Sequence, residues 1–388
     1  MEKRKLKVLQ LGKQYYPHIG GIEVTMQQIA EGIQRTVDSY VLASQEKGEA
    51  HQEVVNGVPV YYAKSLGVIA SLPISFDLVR YMRKHANEYD VIHLHMPFPL
   101  GDLACLLSGY KGKLVLYWHS DIIRQKKALF FYKPLMHWTL KRADAIAIAT
   151  QGNIDGSPYV KPYEKKCVLI PFGLRKNLEE KSRKYWESRK QEISEKQADE
   201  KLKLLFVGRL VYYKGCDILM EAMEYIQKHT PAELKRLQLT FVGTGVLEEE
   251  LKKRTEEHGL TEQIHFAGKV SDEDLEKNLE ACDVLAFPST ENSEAFGLVQ
   301  IEAMTYGKPV INTSLPTGVP WVSLDGETGL TVPPKDAKTL ADAILWMLRN
   351  PEKRAEMSQK ARIRVQKEFS EKQLIEKILG LYQKLCEK

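Results

Sequence analysis

Short apolar runs that are typical of buried strands alternate along this chain with helical patterns, and the alternation begins afresh halfway through. The strand-like runs of the two halves lie at residues 7–12, 39–43, 90–95, 113–118 and 145–149, and then at 203–208, 237–243, 264–268, 284–287 and 309–312. This rhythm is typical of parallel sheets covered by helices. It therefore predicts an α/β chain of two doubly wound domains, one after the other.

A change in composition indicates where the two domains meet. Residues 174–201 consist mostly of Lys, Glu, Arg and Gln, so they predict an exposed helix or linker rather than a core strand. We therefore place the domains at 1–173 and 174–369, and 388 residues suffice for two separate cores. The last segment, 370–388, carries leucines and isoleucines at helical spacing and predicts an amphipathic helix that docks on one of the two domains.

Cysteine usage and hydropathy restrict the class of protein. The five cysteines are widely spaced and form no Cys-x-x-Cys pair, which argues against a disulfide framework or a zinc site and favours a reducing cytoplasm. The charged N-terminus is followed by an apolar run that reaches only Leu11, and no later stretch approaches the roughly 18 apolar residues of a membrane span. We expect neither a membrane span nor a secretory signal.

Basic charge is concentrated in the first domain. Residues 1–170 hold 22 Lys and Arg against 15 Asp and Glu, whereas the remainder holds 34 against 36. This bias favours an anionic substrate or lipid surface, and nucleic acid is not expected because no basic helix is interleaved with aromatics in a nucleic-acid-binding pattern. Segment 122–142 combines Arg124, Lys126, Lys127, Lys133, Lys141 and Arg142 with Phe130, Phe131, Tyr132 and Trp138. It predicts either contact with anionic lipid or a buried helix with a solvated basic edge.

Two carboxylates, Glu294 and Glu302, are separated by seven residues around a Phe-Gly turn. The strand-like run 283–288 precedes them and a helical pattern that ends near Tyr306 follows, so the turn lies where a strand gives way to a helix. Free backbone amides at a helix N-terminus bind anions, and the two carboxylates can accept hydrogen bonds from hydroxyls. A polyol attached to phosphate fits this combination. The alternative is a surface helix with two ordinary carboxylates.

This pattern resembles the Glu-x7-Glu signature of retaining glycosyltransferases of family 4, and the likeness covers nearly the whole chain. It implies the GT-B fold, two Rossmann-like domains that face each other across a cleft, with the last helix crossing back onto the first domain. In that family the first Glu, here Glu294, lies against the donor sugar, and the second, here Glu302, holds the ribose. The amides around Phe296, Gly297 and Leu298 are implied to meet the phosphates.

Two further motifs match this family. The loop Gly20-Gly21 follows the first strand, where glycines leave room for a ligand and have free access to positive φ, and the resemblance implies that it faces the donor. Arg209 and Lys214 stand after the strand 203–208, at the strand end where ligands of α/β sheets bind. Both cations can neutralise charge on a departing nucleoside diphosphate, as the family's Gly-Arg-x4-Lys-Gly pattern implies. The alternatives are that Gly20-Gly21 form a simple turn and that Arg209 and Lys214 are solvated surface cations.

Histidines follow the strands of the first domain. His119 ends the run 113–118, and the resemblance implies that it contacts the donor sugar close to the reacting centre. Asp121 is expected on the acceptor side. His93 and His95 alternate on one strand and so face the same way, which could suit a metal, but no Asp or Glu has ligand spacing with them. We therefore expect no metal, and we expect His95 to line the acceptor cleft.

The sequence Gly243-Thr244-Gly245 begins like a dinucleotide fingerprint, but Glu248 takes the place of the third glycine, so NAD is not expected. The family places the nucleobase near this loop and near the segment 266–270, which makes Gly243 and Lys269 candidates for that contact. The expected small molecule is therefore the nucleotide sugar itself, without a separate cofactor.

The segments 119–126 and 315–323 narrow the resemblance to bacterial rhamnosyl and mannosyltransferases. They imply an enzyme of polysaccharide assembly, such as lipopolysaccharide or capsule, that uses GDP-mannose and a saccharide or lipid-linked acceptor at the inner face of the membrane. Retention would proceed without a carboxylate nucleophile, since the carboxylate pair of retaining glycosidases has no evident counterpart. A UDP-sugar-dependent transferase, an epimerase or hydrolase of the same fold, and a non-catalytic binding subunit are the alternatives.

Overall fold

The computed structural model describes residues 4–18, 20–69, 72–122, 126–188 and 201–387, with side chains except at 126–128 and 176. The chain forms two compact units. The first comprises Met1–Gly173 together with Glu371–Lys388, and the second comprises Leu174–Ser370. Each unit has a hydrophobic core of its own.

The first unit contains a sheet and the helices that cover it. Its strands are β1 Lys7–Gly12, β2 Asp38–Ser44, β3 His51–Val55, β4 Val58–Ala63, β5 Val68–Ile69, β6 Leu72–Pro73, β7 Val91–Met96, β8 Lys113–Trp118, β9 Ala145–Ile148 and β10 Cys167–Leu169. The helices between them are α1 Gly21–Gly32, α2 Phe76–His85, α3 Pro99–Ser108, α4 Lys126–Arg142 and α5 Gln151–Asp155. All six residues of β7 are buried, as expected where helices cover both faces of a sheet.

Eight of these strands form one sheet in the order β10-β9-β8-β7-β1-β2-β4-β3. All neighbours are parallel except β3, which pairs antiparallel with β4 at one edge. The strand order reverses between β1 and β7, and the carboxyl ends of β1, β7 and β8 therefore lie side by side.

The second unit repeats the same plan. Its strands are β11 Leu202–Val207, β12 Leu237–Val242, β13 Ile264–Gly268, β14 Val284–Ala286, β15 Val310–Thr313 and β16 Gly329–Val332. Its helices are α6 Lys176–Ser188, α7 Cys216–His229, α8 Pro231–Leu234, α9 Glu248–Glu257, α10 Asp272–Ala281, α11 Leu298–Thr305, α12 Val319–Val322, α13 Ala337–Arg349 and α14 Pro351–Glu368.

The six strands of the second unit are all parallel and lie in the order β13-β12-β11-β14-β15-β16. Counted within this unit, the order is 3-2-1-4-5-6, which is that of the dinucleotide-binding Rossmann fold. The chain winds outward in opposite directions from β11 and β14, so a crevice opens at their carboxyl ends. Ligands of open α/β sheets bind in such a crevice.

Two further helices complete the units. The charged segment 174–201 is helical as α6 but not fully exposed, because Leu178 and Ser182 are buried and Trp186 Nε1 donates to the Thr305 carbonyl at 3.0 Å; residues 189–200 lie outside the described ranges. The last helix, α15 Glu371–Cys386, belongs to the first unit and packs against α1. None of the described helices combines the length and hydrophobicity that crossing a lipid bilayer requires.

Candidate active site

Two loops meet at the crevice of the second unit. One follows β11 and carries Arg209 and Lys214; the other follows β14 and carries Glu294. A Cβ at Gly215 would overlap the carbonyl oxygen of Pro288, and Gly215 has φ +70°, a left-handed conformation that favours glycine. The first loop can therefore lie directly against the second only with glycine at this position.

The two loops are joined by an ion pair. Lys214 Nζ donates to Glu294 Oε2, and the hydroxyl of Ser289 donates to the same oxygen at 3.4 Å. Lys214 also lies over the Phe287 ring, with its nitrogen 5.5 Å from the ring centroid. Both charged side chains are largely buried, at 19% and 10% exposure, so little water screens the pair.

Arg209 lies beside this ion pair. It follows Gly208 at the end of β11, and its guanidinium donates to the Tyr213 hydroxyl and stands 5.7 Å from the centroid of that ring. The side chain is exposed, so its charge is accessible to a ligand. The structure thus brings together Arg209, Lys214 and Glu294, which lie up to 85 residues apart in the sequence.

The N-terminus of α11 faces the same crevice. Gly297 is its N-cap, with φ +78° and no side-chain hydrogen bond to the first turn, whereas Ser75, Ser271 and Asp336 cap α2, α10 and α13 with their side chains. A Cβ at Gly297 would overlap the Phe287 ring. The Phe296 side chain is buried, so this turn and Leu298 offer backbone to a ligand.

A buried amide network supports this turn and was not predicted from the sequence. Gln300 Nε2 donates to the Phe296 carbonyl at 2.7 Å, and Asn312 Nδ2 donates to Gln300 Oε1 at 3.0 Å. The Asn312 Oδ1 in turn accepts from Thr331 at 2.7 Å. Such satisfied buried networks fix one conformation, so α11 presents its amides from a rigid base.

Glu302 lies one turn further along α11. Its Oε1 is 3.6 Å from Nη2 of Arg175, whose Nη1 is 3.5 Å from Asp272. Burial raises the pKa of Glu302, and the Arg175 guanidinium acts in the opposite direction. Arg175 was missed in the sequence because it belongs to no motif and stands at the start of a charged segment.

The proposed base-contacting residues occupy neighbouring loops. Gly243 has φ +125°, and a Cβ there would overlap the Gly208 carbonyl oxygen, so the loops after β11 and β12 touch through their backbones. Lys269 is exposed and follows Gly268, which has φ +65°. Gly243 therefore lies at the carboxyl end of β12, next to β11, whereas Lys269 lies at the carboxyl end of the edge strand β13.

In the first unit, Gly20 is the N-cap of α1 and Gly21 its first residue. Gly20 does not use the positive φ that is open to glycine: its φ is −152°, an extended conformation open to any residue. A Cβ at Gly20 would instead overlap Oε2 of Glu23, so the glycine leaves space for that carboxylate. Ile19 lies outside the described residues.

His119 lies directly after β8 and is buried in a stack of rings. It is nearly parallel to Tyr117 and to Phe172, with centroids 4.7 and 5.4 Å away. Its Nε2 is 2.9 Å from Nδ1 of His95. Burial lowers the pKa of His119 to about 3, so the imidazole is neutral at physiological pH.

The structure corrects the expected place of His95. This residue is buried, and its ring nitrogens face His119 and Oε1 of Gln10, the latter at 3.0 Å, so it lies behind His119 and lines no open cleft. Asp121 Oδ1 accepts hydrogen bonds from Trp118 Nε1 and from the Ser157 hydroxyl, at 2.9 and 2.7 Å. Its carboxylate therefore links the end of β8 to Ser157.

No group of three or more His, Cys, Asp or Glu side chains in the described ranges is arranged to hold a metal ion. His93 directs Nδ1 to the hydroxyl of Tyr382 at 2.6 Å. Its other ring nitrogen is buried and forms no hydrogen bond with any residue that the structure describes.

Comparison with known proteins gives a consistent result. Residues 19–152 match the family described as Glycosyltransferase Family 4, and residues 187–364 match Glycosyl transferases group 1. The chain is 31% identical to the O-antigen chain mannosyltransferase C of Escherichia coli, over 98% of this chain and 99% of that protein. It is 32% identical to the D-rhamnosyltransferase WbpZ of Pseudomonas aeruginosa, over 94% and 92%.

A solved structure shows the same fold. The Anabaena protein HepE in complex with UDP matches with a TM-score of 0.73 at 19% identity, over 98% of this chain and all of that one. Together with the two parallel sheets, this likeness identifies the fold as GT-B.

Proposed function

Because this chain belongs to the glycosyltransferases of family 4, we propose that it transfers a hexose from a nucleoside diphosphate sugar to a saccharide or lipid-linked acceptor in bacterial polysaccharide assembly. The name of one relative, an O-antigen chain mannosyltransferase, supports mannose as the transferred sugar, and GDP-mannose is the donor that the sequence resemblance implies. The observation that carries the proposal is the Lys214–Glu294 ion pair beside the N-terminus of α11.

The donor would bind by exchanging partners with this ion pair. The diphosphate takes the amides of the α11 N-terminus, where the helix dipole also favours negative charge. Lys214 Nζ can then turn from Glu294 to a phosphate oxygen, and Glu294 becomes free to accept hydrogen bonds from sugar hydroxyls. Glu302, one turn along the helix, would accept from the hydroxyls of the ribose.

Arg209 and Lys214 would act on the leaving group. Negative charge grows on the diphosphate as the glycosidic bond breaks, and two fixed cations stabilise that charge more in the transition state than in the ground state. We therefore propose that the reaction needs no resident metal, since these side chains supply the positive charge.

The chemistry would retain the anomeric configuration. Glu294 pairs with Lys214 and accepts from Ser289 before the donor binds, and in the complex we propose that it accepts from sugar hydroxyls, a role of positioning rather than nucleophilic attack. The acceptor hydroxyl would attack the face from which the diphosphate departs and pass its proton to the departing phosphate oxygen. His119, which is neutral, would contact the donor sugar by hydrogen bonding.

A UDP-sugar donor is the second candidate, because HepE was solved in complex with UDP. A thermal-shift screen of GDP-, UDP-, ADP- and dTDP-sugars would separate these donors. We expect GDP-mannose to raise the melting temperature most. A larger increase with a UDP-sugar would indicate that the UDP-sugar is the donor. Donor turnover without an acceptor would instead favour an epimerase or hydrolase.

We also propose that the first unit binds an anionic membrane surface from the cytoplasmic side. Phe130 and Phe131 on α4 are 76% and 81% exposed. Helix α3, which packs between α2 and α4, exposes Leu103, Leu106 and Leu107 at positions i, i+3 and i+4. These five exposed apolar side chains lie on two adjacent helices.

Exposed cations accompany this apolar surface. On α2, Phe76, Arg80 and Arg83 are all exposed and share one face at i, i+4 and i+7, and Lys133 is exposed on α4. Apolar side chains beside Lys and Arg suit the headgroup region of anionic lipid. Tyr132 and Trp138, also predicted for this surface, pack on the core instead. Arg124 and the side chains of Lys126 and Lys127 lie outside the described part of the chain.

Vesicle sedimentation tests the membrane proposal. We expect binding to vesicles containing phosphatidylglycerol and little binding to phosphatidylcholine alone. The double substitution Phe130→Ser, Phe131→Ser should abolish binding, whereas Val246→Ser, which removes an 85% exposed side chain from the second unit, should not. Equal binding by both variants would refute this surface, and a dimer of the free wild-type protein would assign it to a second copy of the chain.

A further inference from the structure

A continuous chain of buried polar side chains runs from the C-terminal helix to His119. Tyr382 on α15 lies 3.1 Å from Nε2 of Gln10, whose Oε1 lies 3.0 Å from Nε2 of His95. The Nδ1 of His95 lies 2.9 Å from Nε2 of His119. All of these residues belong to the first unit and are buried.

The Gln10 amide sets the direction of donation along this hydrogen-bond chain. Its Oε1 can only accept, so His95 carries its proton on Nε2 and its Nδ1 is an acceptor. His119 must then donate from Nε2, which leaves Nδ1 of a neutral His119 as an acceptor. No described residue forms a hydrogen bond with that nitrogen, so it is available to a ligand.

Tyr382 ends this hydrogen-bond chain, and its hydroxyl can both accept and donate. The Gln10 amide donates to the Tyr382 oxygen, so the hydroxyl proton points to Nδ1 of His93 at 2.6 Å. His93 must then carry its proton on Nε2, a buried nitrogen without a hydrogen bond.

The residues of the chain remain neutral. Burial lowers the pKa of His93 and of His119 to about 3 and that of His95 well below its usual value, and it raises the pKa of Tyr382. Protonation of His93 or His119 would place two donors on a ring that has one hydrogen-bond partner among the described residues, which also favours the neutral form.

We infer that Tyr382 is a positioning residue that acts through Gln10 and His95 to hold His119 in the tautomer with Nδ1 as a hydrogen-bond acceptor. On the proposed function, the group that Nδ1 accepts from is a hydroxyl of the transferred sugar. His119 then selects for a hydroxyl at that position and provides no proton to the leaving group.

The tautomers can be measured directly in the full-length protein labelled with 15N-histidine. Long-range 1H–15N spectra, with the His119 signals assigned by their loss in His119→Asn, should show Nε2 protonated and Nδ1 unprotonated. Tyr382→Phe should give a mixture of tautomers and lower GDP-mannose turnover about tenfold. The matched control is Tyr306→Phe, since the Tyr306 hydroxyl is buried without a hydrogen bond; it should change neither readout.

Two results would overturn the inference. One is a wild-type His119 with its proton on Nδ1, which would mean that the Gln10 amide and the whole chain point the other way. The other is a Tyr382→Phe variant with unchanged tautomer and turnover. If the wild type does not turn over GDP-mannose, the proposed donor fails while the spectra still test the chain.

Discussion

The two units arrange polar side chains at their strand ends in opposite ways. In the second unit, Lys214, Glu294 and Arg209 are charged and meet around an ion pair. In the first unit, the buried chain that ends at His119 is neutral along its whole length. One region therefore offers full charges, and the other offers hydrogen bonds with a fixed direction.

On the proposed function, this difference corresponds to the two parts of the donor. A diphosphate gains charge as it leaves and is best stabilised by fixed cations. A sugar hydroxyl is neutral, and recognition by a neutral group of fixed orientation avoids the desolvation of a buried charge. The comparison therefore predicts that charge substitutions act on the diphosphate and that changes in the histidine chain act on the sugar.

The largest expected effect is that of Lys214→Ala. Removing the cation that we propose to stabilise the leaving group should lower donor turnover about 100- to 1000-fold, with a fall in melting temperature similar to that of Lys181→Ala. Lys181→Ala is the control, because Lys181 pairs with the mostly buried Glu276 in the same unit at 2.7 Å. If both variants lose stability and activity alike, the Lys214–Glu294 ion pair is only structural.

A smaller effect is expected for Glu302→Ala. Loss of a charged acceptor for the ribose hydroxyls should weaken donor binding by about 1.5 to 3 kcal/mol. Calorimetric titration with the donor measures this loss. Affinity equal to that of the wild type would exclude Glu302 from the nucleotide site. Its role would then be the ion pair with Arg175.

A third effect, seen in stability rather than in activity, is a pH dependence of unfolding below about pH 6.5. The pKa of His93 is about 3 in the folded protein and near 6.5 when unfolded, so the unfolded chain binds more protons between these values. Stability contributed by neutral His93 is therefore lost as pH falls below about 6.5. As pH falls through this window, the free energy of unfolding of His93→Asn should decrease by up to about 1.4 kcal/mol less per pH unit than that of the wild type.

Denaturant unfolding at pH 7 and pH 4 measures the difference between wild type and variant. The difference between the two proteins is needed because burial raises the pKa of Asp102 to about 7, so Asp102 makes stability fall as pH rises. This contribution is present in both proteins and cancels in the difference. Identical pH slopes for the two proteins would contradict the neutral state of His93.

The sequence predicted the fold class well because both strands and helices depend on local patterns. The runs at 7–12 and 203–208 are strands β1 and β11, and the resemblance to family 4 is confirmed over nearly the whole chain. The edge hairpin β3–β4 was missed. Strand β3 is mostly exposed and therefore lacks the apolar run that marks a buried strand.

The sequence predicted which residues belong to the candidate site but not which of them contact one another. Motifs identified Arg209, Lys214 and Glu294, but pairing across 80 residues depends on the strand order. The hydrogen bond between Gln10 and Tyr382 spans 372 residues and has no local signal at all. The burial of Leu178 in the charged segment likewise depends on a neighbouring helix that local composition does not reveal.

The central claim is most directly tested by the product of the reaction. The enzyme would be incubated with GDP-mannose, with and without a mannose-terminated acceptor, and the product analysed by mass spectrometry and NMR. The account predicts that GDP is released only with acceptor and that the new linkage keeps the donor's anomeric configuration. Free mannose formed regardless of acceptor, or an inverted linkage, would contradict it.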